Sequence, residues 1–362
     1  MRKVIYLLAV YLLICIEADA QFVSLNAAEI KHLKQLLAEN ADVKKQFLPE
    51  QNLADAALTE KPAPTDTLHT EGRLKGDPQK TATAEALKDM QKMYALALVY
   101  RLYGNQKYAD KAVDFLTAWA KINRSAGDPI DDTNLDDGIA AYDLLKGKID
   151  PENDKIIKSW LKQVAEAEIN SVRMKPNRET SYNNWNSHRL KIVGEIAYAL
   201  NDDALKQFTL NGFKNQLAKN LKPDGSSIDF ELRDALHYHV YDLEPLLKLI
   251  IVLKRASGTD YYRYQSEQQT SVKKSVEWLV PYLTGEKTHQ EYVKSKVDFD
   301  RKRAKNNEPA YKIGADFKPE SGIEVLSLAA YFQPGYIAII NKIKSTTGAY
   351  PNWQSVLNAA MR

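Results

Sequence analysis

Apolar residues recur at intervals of three and four along most of the chain, and this period limits the possible folds more than any other feature. It runs through nine segments, residues 30–37, 86–102, 112–122, 139–145, 156–169, 190–200, 205–217, 236–253 and 272–283. The period places apolar side chains on one face of a helix, whereas the alternation that indicates strands is scarce. Glycine, proline, asparagine and aspartate punctuate the joins between segments. The sequence therefore predicts an all-α fold built from helical hairpins.

The hairpins follow one another without a strict sequence repeat, and this bears on the architecture. Inner helices around an axis, covered by outer helices, would form an (α/α) toroid or barrel, incomplete or closed, as one catalytic domain over residues 21–362. An open α-solenoid would need clearer repetition. Residues 61–80, 125–134 and 286–317 interrupt the helical pattern. We expect these long loops to lie over a cleft, with ordinary solvated loops as the alternative.

Residues 1–20 have the pattern of a secretory signal peptide. Two basic residues precede an apolar run from residue 4 to residue 16, and residues 18–20 supply a small-residue cleavage site. We expect cleavage after Ala20 and a periplasmic or secreted mature protein without membrane insertion. The only cysteine, Cys15, lies in this segment. The mature chain would therefore have no disulfide, thiolate metal site or cysteine nucleophile.

The net charge of the chain indicates which classes of ligand it could bind. The 362-residue chain has a formal net charge of +3, which is too mild to indicate a nucleic-acid partner. It is compatible with an anionic ligand held by local basic patches. Basic residues of the irregular segments that we expect to steer such a ligand are Arg73, Lys75, Arg178, Arg301 and Arg303. Nothing in the sequence points to a particular oligomeric state.

Polar side chains crowd the start of the helix predicted around residues 190–200. Residues 183–188 read Asn-Asn-Trp-Asn-Ser-His. Asn184 and His188 are four residues apart, so they project from one helical face. Asn183 alone would be a helix cap, but an amide and an imidazole beside the indole of Trp185 indicate a ligand site. Upstream, Asn134 either reaches the cleft from a loop or caps a helix.

A second polar cluster opens the helix predicted at residues 236–253. Residues 233–241 read Arg-Asp-Ala-Leu-His-Tyr-His-Val-Tyr. His237 and His239 diverge by about 200° on a helix and cannot chelate one metal, so we predict no metal or cofactor. Tyr238 alone could be an aromatic core residue. Arg233 lies about 140° from Tyr238 on an ideal helix, so both meet one ligand only if Arg233 precedes the helix, sits in its first turn, or reaches round the helix with its side chain.

This set of side chains, without a carboxylate pair, fits β-elimination from a uronic-acid polysaccharide. The C5 proton of a uronate is barely acidic, so hydrogen bonds from asparagine, protonated histidine or arginine must offset the charge that builds on the carboxylate. A tyrosine can then remove the C5 proton and pass a proton to the departing O4. Tyrosine acts as a base only if cations lower its pKa, and we assign this field to His188 and Arg233.

At the two clusters the chain resembles the alginate lyase superfamily of polysaccharide lyases. In family 5 of these lyases, an Asn-Asn-His motif precedes Ala-Leu-His-Tyr-His and a further tyrosine. Residues 235–241, Ala-Leu-His-Tyr-His-Val-Tyr, are similar to the second motif. The first motif departs, because Trp185 occupies the histidine position and the histidine follows as His188. The form Asn-Asn-Trp-x-Ser-His-Arg looks more like polysaccharide lyase family 38, which includes alginate and glucuronan lyases.

The resemblance implies an (α/α) toroid with its cleft at one end and a lyase that needs no metal. It implies that Tyr238 is the base and the acid, and that His188 and Asn184 assist at the carboxylate. Arg233 is assigned to the catalytic set although its spacing to the tyrosine differs from family 5. Substrate-binding roles are predicted for Trp185, Asn183, Asn134, His237, Arg178, Arg73, Lys75, Arg301 and Arg303.

The leading hypothesis is a lyase for a β-1,4-linked uronan, with polymannuronate favoured and glucuronan next. Mannuronate and glucuronate differ at C2, so both place the C5 proton and O4 on the same side, and one tyrosine could serve either. Guluronate has the opposite C5 configuration and ranks lower. The alternatives are a non-catalytic acidic-glycan binding protein and an inverting glycoside hydrolase. The hydrolase would need an acidic pair drawn from Asp229, Glu231 and Asp234.

Overall fold

The structure, a computed structural model, describes residues 21–362, and most of this range is helical. The predicted signal peptide lies outside the described residues. No β-strand occurs within residues 21–362, where the pairing of extended backbone is limited to two isolated bridges, Leu221 with Ser227 and Gln290 with Asp316. The predicted all-α class is confirmed. The helices are α1 (Ala27–Glu39), α2 (Ala41–Ala57), α3 (Pro78–Ala86), α4 (Lys88–Tyr103), α5 (Gln106–Ile122), α6 (Pro129–Asp132), α7 (Asp136–Leu145), α8 (Pro151–Ile169), α9 (Asn184–Leu200), α10 (Asp203–Asn220), α11 (Ile228–Arg233), α12 (Leu236–Ser257), α13 (Val272–Leu283), α14 (Asp298–Lys305), α15 (Ile323–Ala329), α16 (Tyr336–Lys344) and α17 (Trp353–Ala360).

The helix ends follow from local sequence. Asn26 and Glu29 form a reciprocal capping box at the start of α1, so two backbone donors that lack helical partners are satisfied. Gly104 ends α4 in the left-handed conformation, with φ of 74°. The segment predicted as one helix over residues 86–102 is divided at Leu87, where α3 ends and α4 begins. The helices α2, α6, α11 and α14 to α17 lie outside the predicted segments.

Seven helices form the inner ring of an (α/α) toroid. In order around the ring they are α2, α4, α7, α9, α12, α15 and α17, and each packs against the next. The ring is closed, because α17 packs against α2. Outer helices cover the ring, with α1 on α2, α5 on α4, α10 on α9, α13 on α12 and α16 on α15. The predicted toroid is therefore confirmed, and the structure decides for the closed form.

Two apolar clusters fill the space between the inner and outer helices. One spans α1 to α9 and includes Trp119 and Trp160, and the other is centred on α12. Gly194 lets α9 approach α12 closely, because a Cβ atom there would lie 2.5 Å from Leu249 Cδ1. This contact fixes how near the two helices that begin at the cleft can come.

A channel of about 490 Å³ follows the axis of the ring. Its walls carry more carboxyl groups than lysines, and all seven inner helices contribute to them. No helix in the range 21–362 is long and apolar enough to cross a membrane.

Candidate active site

A cleft of about 320 Å³ opens at the end of the ring where α9 and α12 begin. The first turns of these two helices form its floor, and loops from both halves of the chain form its sides. The residues that line it are Thr70, Glu71, Lys80, Ile130, Asn134, Asn184, Trp185, Arg233, His237, Tyr238, Tyr241, Arg303 and Tyr311. The structure thus brings the two sequence clusters into one cavity.

Two arginines contact the side chain of Tyr238 in the cleft. Its hydroxyl accepts a hydrogen bond from Arg303 Nη1 at 2.8 Å, and the Arg233 guanidinium lies 3.8 Å from its ring centroid. The side chain is 5% exposed. Burial raises the pKa of Tyr238 well above its usual value, although the charges of Arg233 and Arg303 act in the opposite direction. The resting residue is a phenol, and the two arginines favour its deprotonated form.

Arg233 reaches Tyr238 because a sharp turn separates α11 from α12. Arg233 is the last residue of α11, and Asp234 follows with φ of 50°, in the left-handed region. The Asp234 carbonyl accepts hydrogen bonds from Tyr292 N at 2.7 Å and from His289 Nε2 at 3.0 Å, which holds the turn. Arg233 Nη1 also pairs with Asp300 Oδ1 at 2.5 Å. From the sequence, Arg233 and Tyr238 could meet one ligand if Arg233 precedes the helix of Tyr238. The structure places Arg233 before that helix.

Asn184, the first residue of α9, also lines the cleft and is held by a buried carboxylate. Its backbone N donates to Asp229 Oδ2 at 2.8 Å, and its Nδ2 donates to Asp229 Oδ1. Asn220 Nδ2 donates to the same carboxylate at 3.0 Å. Because a carboxylate only accepts hydrogen bonds, the Asn184 amide is oriented with its nitrogen toward Asp229.

His188 lies one turn deeper than Asn184. Its ring packs against that of Tyr241 in a tilted arrangement, with centroids 4.3 Å apart, and its Nδ1 is 2.8 Å from Thr133 Oγ1. It lines a second cavity, of about 320 Å³, that shares Asn134 and Tyr241 with the cleft. This inner cavity leads from the cleft toward the axial channel.

The expectation that His188 is cationic is wrong. Burial and the nearby charges of Lys191 and Lys248 hold the pKa of His188 well below its usual value. The imidazole is therefore neutral at physiological pH. The positive field at Tyr238 comes from Arg233 and Arg303 instead.

A buried hydrogen-bond network fixes α9 against α12 below the cleft. Ser187 Oγ donates to Asp242 Oδ1 at 2.6 Å, and Gln216 Nε2 donates to Ser187 Oγ at 2.9 Å. Asn186 Nδ2 donates to Gln216 Oε1 at 2.7 Å. Ser187 lies between Asn184 and His188 on α9, and Asp242 is one turn after Tyr238. The network therefore sets the register between the two polar clusters.

Three further residues singled out in the sequence also line the cleft. Trp185 lies under the Arg173 guanidinium, 5.6 Å from the ring centroid. Burial and the two cleft arginines lower the pKa of His237 to about 4. Asn134 donates from Nδ2 to the carbonyl oxygens of Ile130 at 3.0 Å and Asp131 at 2.8 Å. Asn134 thus reaches the cleft from the turn before α7.

The remaining predicted binding residues do not line the cleft. Asn183 caps α9, with its side-chain oxygen accepting from Trp185 N at 3.0 Å. Arg73 pairs with Asp77 at 3.1 Å, and Arg301 pairs with Asp298. Lys75 and Arg178 are exposed on the surface. Among the loop cations selected from the sequence, Arg303 alone contributes to the cavity wall.

Sequence reasoning did not find Glu71, Lys80 and Tyr311. They come from two segments that lie far from the clusters in the chain, and none belongs to a recognisable motif. The two segments meet above the cleft, where Glu308 Oε1 accepts from Lys75 N at 2.9 Å and Asn306 Nδ2 donates to Lys75 O at 3.0 Å. The loop composition of residues 61–80 was the one available signal for Lys80.

The acidic residues considered for a hydrolase do not flank the cleft. Asp229 is buried behind Asn184, and Glu231 pairs with Lys222 on the surface. The Asp234 carboxylate accepts from Lys294 N at 2.7 Å and lies outside the helix of Tyr238. The described part of the chain also contains no group of three histidine, cysteine or acidic residues placed to hold a metal ion.

The chain is similar to known alginate lyases in sequence profile and in fold. The family model described as Alginate lyase matches residues 26–289. An alginate lyase from Bacteroides ovatus is 18% identical, with a TM-score of 0.67 over 94% of this chain and 99% of that chain. Alginate lyase A1-III from Sphingomonas species A1 is 20% identical, with a TM-score of 0.59 over 84% of this chain and 95% of that chain.

A variant of alginate lyase A1-III complexed with a tetrasaccharide also shares the fold. It is 19% identical, with a TM-score of 0.57 over 74% of this chain and 78% of that chain. No protein with a curated description is detectably similar in sequence.

Proposed function

Since this chain belongs to the alginate lyase family of polysaccharide lyases, we propose that it cleaves a β-1,4-linked uronan, with polymannuronate as the favoured substrate. The cleavage is a syn β-elimination in which Tyr238 is both base and acid. The observation that carries this proposal is the position of the Tyr238 hydroxyl. It is hydrogen-bonded to Arg303 at 2.8 Å and lies beside Arg233, in a cleft that Asn184 also lines.

The first step is removal of the proton on C5 by the tyrosinate form of Tyr238. The electron pair of the C5–H bond moves toward the carboxyl group of the sugar, which becomes enolate-like. Hydrogen-bond donors placed where this charge develops lower the barrier, because they need not reorient during the reaction. Arg233 and the free amide hydrogen of Asn184 are the donors, with Arg303 next to the phenolate oxygen.

The second step breaks the bond between C4 and O4. The electron pair on the enolate-like group forms the C4–C5 double bond, and O4 leaves with the electrons of the C4–O4 bond. The phenol of Tyr238, which now holds the C5 proton, gives it to O4. The tyrosinate is thereby restored, and the new chain end is a 4,5-unsaturated uronate. No metal is needed in this scheme, since the arginines supply the positive charge.

Because one tyrosine acts both as the base at C5 and as the acid at O4, only some uronates can be substrates. In mannuronate and glucuronate the C5 proton and O4 lie on the same side of the ring, so one phenol can reach both. In guluronate they do not, and a separate acid would be required. Glucuronan is therefore the alternative substrate of the same mechanism.

The environment of Tyr238 supports catalysis over binding alone. A polyanion binder needs cations but no buried phenol bonded to an arginine. In this protein Arg303 donates a hydrogen bond to the phenol oxygen of Tyr238, and its charge favours loss of the phenol proton. We further propose that residues 21–362 act as one catalytic domain and that the protein is exported to the periplasm or secreted.

A panel of polymannuronate, polyguluronate and glucuronan tests the proposal, with ultraviolet absorbance of the unsaturated product as the readout and product sizing alongside. We expect absorbance to rise with polymannuronate, or with glucuronan for the alternative substrate. Saturated product ends would indicate hydrolysis. Binding of a uronan without turnover at any pH between weakly acid and weakly alkaline conditions would leave a glycan-binding protein and refute the lyase.

A further inference from the structure

The side chain of His188 has one hydrogen-bonded nitrogen and one without a partner. Nδ1 lies 2.8 Å from Thr133 Oγ1, in the short turn Thr133–Leu135 that precedes α7. Nε2 is buried and makes no hydrogen bond. The ring lines the inner cavity beside the cleft. A buried polar atom without a partner is costly, so the free nitrogen points to an interaction that a ligand completes.

The contact with Thr133 selects one tautomer of the imidazole. A threonine hydroxyl donates one proton, and His188 Nδ1 is its hydrogen-bond partner in the structure. If the hydroxyl donates to Nδ1, the ring proton resides on Nε2. The opposite tautomer would leave the hydroxyl proton of Thr133 without an acceptor and a bare lone pair on Nε2.

The carbonyl of Tyr241 favours the same tautomer. In α12 this carbonyl would normally bond to the backbone N–H four residues later, but residue 245 is proline and has no N–H. The Tyr241 carbonyl contributes an interaction that favours a protonated imidazole nitrogen. Because Nδ1 is already paired with Thr133, Nε2 is the ring nitrogen left to gain from that interaction in the protonated form.

Burial and two nearby lysines keep the imidazole of His188 uncharged. Lys191 Nζ donates to Thr133 O at 2.9 Å and to Asp136 Oδ2 at 3.1 Å. Lys248 Nζ donates to Asp136 Oδ2 at 2.8 Å. Two ammonium groups therefore share one carboxylate next to His188, and the excess positive charge disfavours a third cation.

The other titratable groups around this cavity do not reverse that balance. Besides the lysines and Asp136, the groups that face His188 from the packed helices are Asp137 on α7 and Tyr241 and Glu244 on α12. Burial raises the pKa of Asp137 and of Glu244 to about 7, and the pKa of Tyr241 is raised as well. At neutral pH these groups are largely or half protonated.

We propose that Thr133 is a positioning residue for the reaction, because its hydroxyl holds His188 as the neutral tautomer with the proton on Nε2. Lys191, Asp136 and Lys248 form the charged group that maintains this state. His188 then donates one hydrogen bond from Nε2 to an oxygen of the sugar that is bound beside Tyr238. It supplies orientation and no net charge. The inference rests on the proposed lyase function for its catalytic part, but the tautomer is a property of the free protein.

Nitrogen-15 NMR of the imidazole in the full chain tests the tautomer directly. In the wild-type protein we expect His188 to show the signals of the neutral form protonated at Nε2, unchanged through the range around pH 6.5 in which a free histidine titrates. Thr133→Ser keeps the hydroxyl and should give the same spectrum. Thr133→Val should give a mixture of tautomers. An imidazolium at neutral pH, or the proton on Nδ1 in the wild-type protein, overturns the proposal.

Kinetics on the cleaved uronan separate positioning from a structural role. Thr133→Val should lower kcat roughly tenfold, as expected for one misplaced hydrogen bond, with a smaller effect on KM. Thr133→Ser should restore the rate. If the wild-type protein cleaves no uronan, the lyase assignment fails while the spectrum still decides the tautomer. If Thr133→Val does not fold, the wild-type titration still shows whether His188 is neutral and protonated at Nε2, as proposed, or is an imidazolium or protonated at Nδ1.

Discussion

Replacing Arg303 with methionine should slow the reaction because it removes the cation that is hydrogen-bonded to the Tyr238 oxygen. Arg303 is 7% exposed, and its Nη1 lies 2.8 Å from that oxygen. A hydrogen bond to a charged partner contributes about 1.5–3 kcal/mol. At about 1.4 kcal/mol for each factor of ten, kcat/KM should fall roughly 10- to 150-fold.

The pH profile of Arg303→Met should shift as well. Arg303 is one of the two charges that lower the pKa of Tyr238, so its loss raises that pKa further. A smaller fraction of the tyrosine is then deprotonated at each pH, and the rising limb of the rate moves to higher pH. The assay is the initial rate of unsaturated-product absorbance over a series of pH values, with thermal unfolding to verify the fold.

Arg301→Met is the matched control for this variant. Arg301 lies on the same short helix α14, but it is largely exposed, pairs with Asp298 and does not line the cleft. Its loss should leave kcat/KM within about twofold, since surface ion pairs contribute little. A rate and pH profile for Arg303→Met that match those of Arg301→Met would refute the assigned role of Arg303.

Three other outcomes are expected. His239 alone should contribute a loss of up to about 3 kcal/mol of stability as the pH falls from about 6.5 to about 4. Burial lowers its pKa to about 4 in the folded protein, so the unfolded state takes up this proton first. His239→Asn should flatten the dependence of the melting temperature on pH in that range, and an unchanged slope would contradict the assignment. Gly194→Ala should cost about 1–3 kcal/mol in thermal unfolding, since a Cβ atom there would lie 2.5 Å from Leu249 Cδ1, whereas Gly335→Ala, which enters open space, should be nearly neutral. Added salt should lower kcat/KM for a polymeric uronan, because Lys80, Arg233 and Arg303 give the cleft a positive field, and a rate that is independent of salt would argue against this steering.

The parts of the structure that depend on local sequence could be predicted. The helical period identified α9 and α12, and the polar clusters at their starts indicated residues that line the cleft. The requirement that Arg233 precede the helix of Tyr238 or lie in its first turn, unless its side chain reaches round, follows from the separation of the two positions on an ideal helix. These features depend on residues within a few positions of one another.

Features that depend on docking between distant segments could not be predicted. The closure of the ring rests on α17 packing against α2, and α15 to α17 are too short for a clear period. The choice of Arg303 over Arg301 depends on which face of α14 meets the cleft. The charge of His188 depends on its burial in the folded protein and on the nearby lysines, of which Lys248 is sixty residues away and is connected to it by no spacing rule.

Removal of one oxygen atom, in Tyr238→Phe, is the most direct test of the central claim that this phenol moves the C5 proton. The measurement pairs kcat on the cleaved uronan with the dissociation constant of an uncleaved uronan oligosaccharide. The claim predicts a fall in kcat of about two to four orders of magnitude with nearly unchanged binding. A variant that retains most of the wild-type kcat would show that another group removes the proton.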